Sequence, residues 1–338
     1  MLFVITMLAA VVILVAVSMT IGVAGISATD AYKAIINSIV PDMFDIPDKT
    51  TRIIMNLRAP RVLMAVFAGA SLAIGGCMTQ CMLRNSLATP YTLGVSAGAS
   101  FGAALAIILG VSFSTGTAGI ILNAFVFSLI PVVIVIIASR FRTMTPIAMI
   151  LCGVAVSYIF GSTNTLFQYF ASDAAVKSVV FWTVGDLNSV SLWNLSYVVP
   201  IMTFVLLLGI FMAKRVNIMG MGDDTAKTLG VNVEFVRTSC LILACLLTAT
   251  VVSFTGSIGF ICLLAPQISR VFVGNDFKYL LPASALVGAC LLSLADIGAK
   301  TLMAPVMLPV GAITALIGGP VFIFFLFSRK KSMESLKA

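Results

Sequence analysis

The residues able to do chemistry in this sequence are few, and they stand at the margins of long apolar runs. Arg58 and Arg61 flank Pro60 just before an uncharged stretch, Val62 to Leu83. Two bland readings fit the pair: cationic stems snorkelling to a membrane interface, or an ordinary solvated charge pair. The functional reading is a docking site for an acidic partner, since complementary charge guides encounter and fixes register. Asp296 is the one acidic residue well inside an apolar span, and Lys300 follows it by four positions. Ion-coupled carriers place ionisable groups near the membrane middle. Asp296 falls near a helix end instead, so bonding to local polar groups or to Lys300 accounts for it. The segment Gln80 to Pro90, QCMLRNSLATP, joins two apolar runs with a polar turn that ends on proline. It reads as a tight loop or as a gate, because irregular backbone at membrane depth is tolerated only against protein or a water-filled cavity.

Other chemistry is excluded. There is no G-x-x-x-x-G-K-[ST] phosphate loop, so the chain itself does not bind ATP in that way. There is no His, which removes axial His ligation of haem and zinc sites of the Cys/His type. None of the seven Cys forms a C-x-x-C pair, and each lies in or beside an apolar run, as small hydrophobes do. The sequence implies no catalytic residue, no metal site and no cofactor held by this chain.

The elements that position these residues follow from composition. Apolar residues make up 60% of 338 positions and charged residues only 9%, against about 25% charged in a soluble domain. Runs without charge reach the ~20 residues that a bilayer-spanning helix requires. The expected fold is all-α, a single polytopic membrane domain over 1–338 with about ten transmembrane helices. Spans are placed at 2–24, 62–83, 93–111, 118–138, 146–169, 195–213, 237–256, 258–272, 280–299 and 308–327. The first has no basic n-region and reads as a retained helix rather than a secretory signal. The eighth is short, is separated from the seventh only at Gly256 and Gly259, and carries Pro266, so it either spans or re-enters.

The formal charge of +8 raises nucleic acid as a partner, but its distribution follows membrane topology. With both termini inside, thirteen of the twenty Lys and Arg fall in inner loops, the expected bias. The outer stretch 27–61 is unusually basic near its end. Gly94, Gly98 and Gly102 form a smooth stripe that lets a neighbouring helix approach closely. In 214–237, Asp223 and Asp224 suit a helix N-terminus, and Gly230 suits its end. Such a surface helix is either an interfacial cap or the contact for a cytoplasmic motor.

Two blocks extend this reading. Residues 58–103, RAPRVLMAVFAGASLAIGGCMTQCMLRNSLATPYTLGVSAGASFGA, and residues 256–326, beginning GSIGFICLLAPQISR and ending LPVGAITALIGGPVFIFFL, resemble the permease subunits of the iron-chelate and cobalamin class of ABC importers. Trp182, Gly185 and Trp193 fit the region between. Ser86 stands where the family usually has Pro, Gln267 where it has His, Lys300 where it has Arg, and Cys262 where it has Gly.

The resemblance implies a pore of two permease subunits, identical or related, in the cell membrane. It implies separate ABC ATPase subunits that bind ATP-Mg, and an extracytoplasmic binding protein that delivers the cargo. It places docking on Arg58, Arg61 and Lys300. It places a cytoplasmic gate at Asn85 and Leu87 with Thr143 and Thr145, and ATPase coupling at Ala226, Leu229 and Gly230 within 214–237. It implies no nucleic-acid partner. A ferric siderophore is the expected cargo, as the commonest in the family, with haem and cobalamin as alternatives. An ion-coupled carrier depending on Asp296 and a membrane-embedded enzyme are the competing classes.

Overall fold

A computed structural model of the protein describes residues 2–22, 25–40, 43–141 and 145–335. Every regular element among them is helical. In chain order these are α1 (Leu2–Thr20), α2 (Ala28–Ile39), α3 (Asp48–Ile53), α4 (Ala59–Leu83), α5 (Val95–Leu109), α6 (Gly116–Phe141) and α7 (Pro146–Phe170). There follow α8 (Asp173–Val184), α9 (Leu192–Met219), α10 (Asp223–Thr228), α11 (Val233–Thr255), α12 (Ile261–Val273), α13 (Phe277–Thr301) and α14 (Val310–Ser335). Among the described residues, seven helical runs are long and apolar enough to cross a membrane, and α5, α12 and α14 add shorter apolar helices. The polytopic all-α architecture of roughly ten membrane helices is therefore as expected.

The bundle is built around α4, which is buried along almost its whole length and packs on α1, α9, α11, α12 and α13. A helix apolar all round must be buried or lipid-bound, and its Ala, Gly and Ser residues choose burial by letting backbones approach. A Cβ at Gly69 would strike the Gly288 carbonyl of α13, and one at Gly76 would strike the Cys262 carbonyl of α12. The expected glycine stripe works likewise on α5. Side chains at Gly98 and Gly102 would meet the Phe127 and Asn123 carbonyls of α6, and Gly94 starts α5 at φ 95°. By contrast α1 presents Leu2, Ile5, Leu8, Val12 and Ile13 outward, as a lipid-facing helix does.

The seventh and eighth predicted spans separate at an unwound stretch, residues 256–260, with positive φ at Gly256 and at Phe260. The 13 residues of α12 cover roughly 20 Å at 1.5 Å each, short of the ~30 Å hydrocarbon core. This element is thus a half-span that begins inside the bundle. Protein groups hold the unwound stretch and its entry from α11. Tyr91 Oη donates to the Ile258 carbonyl at 2.9 Å, Ser96 and Ser257 hydroxyls lie 2.8 Å apart, and Asp186 N donates to the Thr255 carbonyl at 2.8 Å.

The polar stretches hold helices that apolar periodicity did not reveal. The amphipathic α2, capped by Ser27, and the short α3 fill 27–61, and α8 fills much of 171–194. One end of the bundle gathers the start of α1, the turn after α4, α10 and the end of α12, where Phe3 stacks on Phe272 at 4.6 Å. The opposite end gathers α3, the start of α4 and the ends of α1 and α13.

Candidate functional site

Two charged clusters stand at the two ends of the bundle. At the α3 end, Arg58, Arg61 and Lys300 come together, but beneath the surface: they are 6%, 4% and 5% exposed. Arg58 Nη1 donates to the carbonyls of Met19 and Thr20 at 3.0 and 3.1 Å. It thereby caps the last turn of α1, where orphan carbonyls and the helix dipole favour a cation. Arg61 Nε donates to Asp296 Oδ1 at 2.6 Å, and its Nη1 donates to Asn188 Oδ1. Lys300 Nζ lies 2.5 Å from Asp296 Oδ2 and 3.0 Å from Ser18 Oγ. Asp296 is fully buried, so the charge anticipated near a helix end is the counter-ion of two cations. The three residues to which the resemblance assigns docking are all buried, because one carboxylate and the end of α1 draw them inward. One terminal nitrogen of Arg58 and one of Arg61 keep no partner among the described residues.

At the other end, α4 stops where Arg84 adopts a left-handed conformation, φ 46°. Asn85 Oδ1 accepts from Leu87 N at 2.9 Å, a side-chain turn of the kind Asn favours. Leu87 is 47% exposed. The half-span α12 holds this turn: Gln267 Nε2 donates to the Ser86 carbonyl at 2.7 Å, and Arg270 Nη1 donates to Gln80 Oε1 at 2.6 Å. Gln267, which replaces the family's usual His, therefore keeps a hydrogen bond without a titratable ring. A cavity of about 440 Å³ opens beside the turn, lined in part by Gln80, Arg84, Asn85, Asn217 and Arg270.

The turn is tied to α10 through Asp223. Arg84 pairs with Asp223 and donates to the Met219 carbonyl at 2.7 Å. Arg237 Nη2 donates to both Asp223 oxygens at 2.8 Å, and its Nε donates to the Met82 carbonyl at 3.3 Å. Burial works to raise the Asp223 carboxyl, but the hydrogen bond and charge of Arg237, with Arg84 and Lys227 behind, hold it below the usual carboxylate range. Within the expected coupling region Ala226 is buried, Leu229 is 58% exposed, and Gly230 turns the chain at φ 78°. Thr145 caps α7 by accepting from Ala148 N at 3.3 Å. Thr143 lies outside the described residues. The hub role of Asp223 and Arg237 was not anticipated. Their acidic and basic character was visible, but nothing local links position 223 to position 84.

The FecCD transport family pattern matches residues 10–328. A protein of Methanocaldococcus jannaschii named as an ABC transporter permease is 41% identical over 312 residues, 89% of each chain. The hemin transport system permease of Yersinia pestis is 34% identical over 286 residues, 84% of this chain and 86% of that one. Further relatives are named for import of iron(3+)-citrate, cobalamin and iron(3+)-hydroxamate. A solved structure described as an inward-facing, metal-chelate type ABC transporter superposes with a TM-score of 0.84 at 28% identity, covering 96% of this chain and 98% of that one. This chain belongs to the FecCD transport family, a family of ABC importer permeases.

Proposed function

We propose that this permease passes a ferric siderophore, handed to it by an extracytoplasmic binding protein, across the cell membrane. The observation that carries the reading is the hydrogen-bonded link from α10 through Asp223 and Arg84 into the 84–89 turn. A motor pressing on α10 would move Asp223, and Asp223 would move the residue on which the turn begins. Separate ATPase subunits, which bind ATP-Mg, are the motor, with Leu229 and Gly230 on the surface they meet. The turn at Asn85 and Leu87, held by Gln267, is the gate. The α10 end therefore faces the cytoplasm, and both termini lie on that side.

A second permease subunit completes the pore. Apolar side chains that this chain leaves uncovered, among them Leu316, Ile317 and Ile323 of α14, offer surface for such a subunit or for lipid. At the outer end, the buried cluster carries two more cations than carboxylates, and Lys49 and Arg52 stand exposed on α3 above the start of α4. An acidic face of the binding protein is drawn to this end, with Lys49 and Arg52 making first contact. Arg58, Arg61 and Lys300 engage a partner carboxylate only as Arg58 releases α1. An ion-coupled carrier finds no support, since Asp296 is committed to Arg61 and Lys300.

The test is uptake into liposomes holding this chain with its ATPase and binding protein, offering labelled ferric siderophore with and without ATP. ATP-dependent uptake that needs the binding protein is the expected result. Uptake by this chain alone, driven by an ion gradient, would overturn the importer reading.

A further inference from the structure

The half-span α12 is fixed at both of its ends. Its start is tied to the loop that follows α8. Gly256 packs on the Trp182 carbonyl, and Gly185 packs on the Ser257 carbonyl. Asp186 N donates to the Thr255 carbonyl at 2.8 Å, and Gly311 N, at the start of α14, donates to the Gly185 carbonyl at 3.1 Å. Phe260 then opens α12 at φ 66°. That backbone region costs free energy for an aromatic residue and persists only where the surroundings dictate it. Here Gly318 of α14 leaves room for the Phe260 side chain. The far end of α12 reaches the 84–89 turn, where Gln267 Nε2 donates to the Ser86 carbonyl at 2.7 Å.

Between these ends one side chain of α4 grips α12 twice. Pro266 has no N–H, so the helix cannot supply the usual bond to the Cys262 carbonyl four residues back. Gly76 lets that carbonyl lie against α4, where any Cβ would strike it. Gln80, one turn along α4 and 2% exposed, shares its Nε2 between the carbonyls of Cys262 and Leu263 at 3.4 and 3.3 Å. Its Oε1 accepts from Arg270 Nη1 at 2.6 Å, about two turns further along α12. A guanidinium only donates, which fixes the amide this way round. Both ends of one buried amide are thus satisfied by the same half-span.

We infer that Gln80 is the positioning residue that sets the register of α12 on α4, and that α12, so held, carries movement of the loop after α8 to the 84–89 turn. The inference rests on the importer reading above, in which that turn is the gate. A slip of one residue would shift α12 by about 1.5 Å and rotate it by about 100°, taking Gln267 away from Ser86. Rigid elements joined by hydrogen bonds pass a displacement on only while those bonds hold. With the clasp closed, a pull on residues 184–187 moves the whole half-span. With it open, the strained start of α12 relaxes alone.

The test follows the turn in the complete complex in liposomes, with the binding protein loaded by whichever of a ferric trihydroxamate, haem or cyanocobalamin it takes up. Leu87→Cys puts a thiol on the exposed part of the turn, and its rate of reaction with a thiol reagent on the ATPase side is measured with and without loaded binding protein. The chain with Leu87 unchanged gives the background. The loaded binding protein should change the rate about five-fold or more. Adding Gln80→Met should leave binding-protein affinity intact and cut that change below about two-fold. Pro266→Ala, added in turn, returns an N–H to the Cys262 carbonyl. It should raise the unfolding midpoint of the Gln80→Met chain without restoring the response, because a bond within α12 does not locate it on α4. Arg270→Gln opens the other end of the clasp beside the cavity, away from the buried amide's packing, and should weaken the response likewise. A full response in Gln80→Met or Arg270→Gln overturns the inference. So does a response that returns with the midpoint in the double variant, which would make Gln80 a purely structural residue. No response at Leu87→Cys, in a complex whose unsubstituted form takes up the chelate with ATP, also overturns it. No ATP-dependent uptake of any loaded chelate sinks the importer reading itself.

Discussion

Replacing Asp296 with Asn should destabilise the protein severely, although the side chain keeps nearly the same shape. Asp296 is fully buried and lies 2.6 Å from Arg61 Nε and 2.5 Å from Lys300 Nζ. Exposed pairs contribute only about 0–1 kcal/mol, but these groups cannot turn to water when the carboxylate is lost. Removing one partner of a buried pair costs about 3–5 kcal/mol, since a charge is left uncompensated. Here two cations are left facing each other, while the Asn carbonyl still accepts one hydrogen bond. A loss near ~3 kcal/mol follows, about a hundred-fold in the folded-to-unfolded ratio. The assay is equilibrium unfolding of the purified chain in detergent, with Asp296→Asn, Lys300→Met and the double variant compared. The double variant should recover part of the loss, by about 1–2 kcal/mol, because one of the two stranded cations is gone. An Asp296→Asn chain as stable as the parent, or strictly additive effects in the double, would refute the buried counter-ion account.

Asp223→Asn should leave the complex assembled and ATP hydrolysis running while transport per ATP falls about ten-fold, as expected when one charge-assisted link of ~1.5–3 kcal/mol is lost; an unchanged ratio would remove Asp223 from the transmission path. Because the folded carboxyl of Asp223 lies below its ordinary value, its contribution is fully present above that value and is lost only as pH falls through the lowered one. Coupling should therefore show no titration from this group between about pH 5 and 8, measured as transport per ATP across that range. Gly102→Leu places a side chain against the Asn123 carbonyl and should lower stability by about 1–3 kcal/mol or more, read as a lower unfolding midpoint in detergent. Lys49→Glu with Arg52→Glu should weaken binding-protein affinity by about ten-fold, mostly through slower and less salt-dependent association, measured by surface binding at two salt concentrations. The corresponding Arg58→Glu and Arg61→Glu changes strike buried groups, so they should report first on folding.

Much of the architecture was legible because a bilayer imposes lengths. Apolar runs of about twenty residues, punctuated by basic loops, place α1, α4, α6, α7, α9, α11 and α13 with few alternatives. The glycines at 94, 98 and 102 were readable for the same kind of reason, since a four-residue spacing puts them on one helical face whatever that face meets. The short α2 and α3 escaped notice because their sequences are polar and carry no spanning signal. The half-span α12 was visible as short, but its depth depends on Gly76 and Gln80 of α4, which receive it.

The charged residues divide differently. Their types and places at span margins were plain from the chain alone, and Lys300, one helical turn on, was one of the two kinds of partner expected for Asp296. That Arg61 reaches across 235 positions to the same carboxylate, and that Arg58 turns inward to cap α1, only tertiary structure could decide. Helical periodicity specifies which residues share a face, but which faces meet is settled by the packing of whole helices. For these three cations that packing turns charges at the margins of apolar runs into one buried cluster around a single carboxylate and the end of α1.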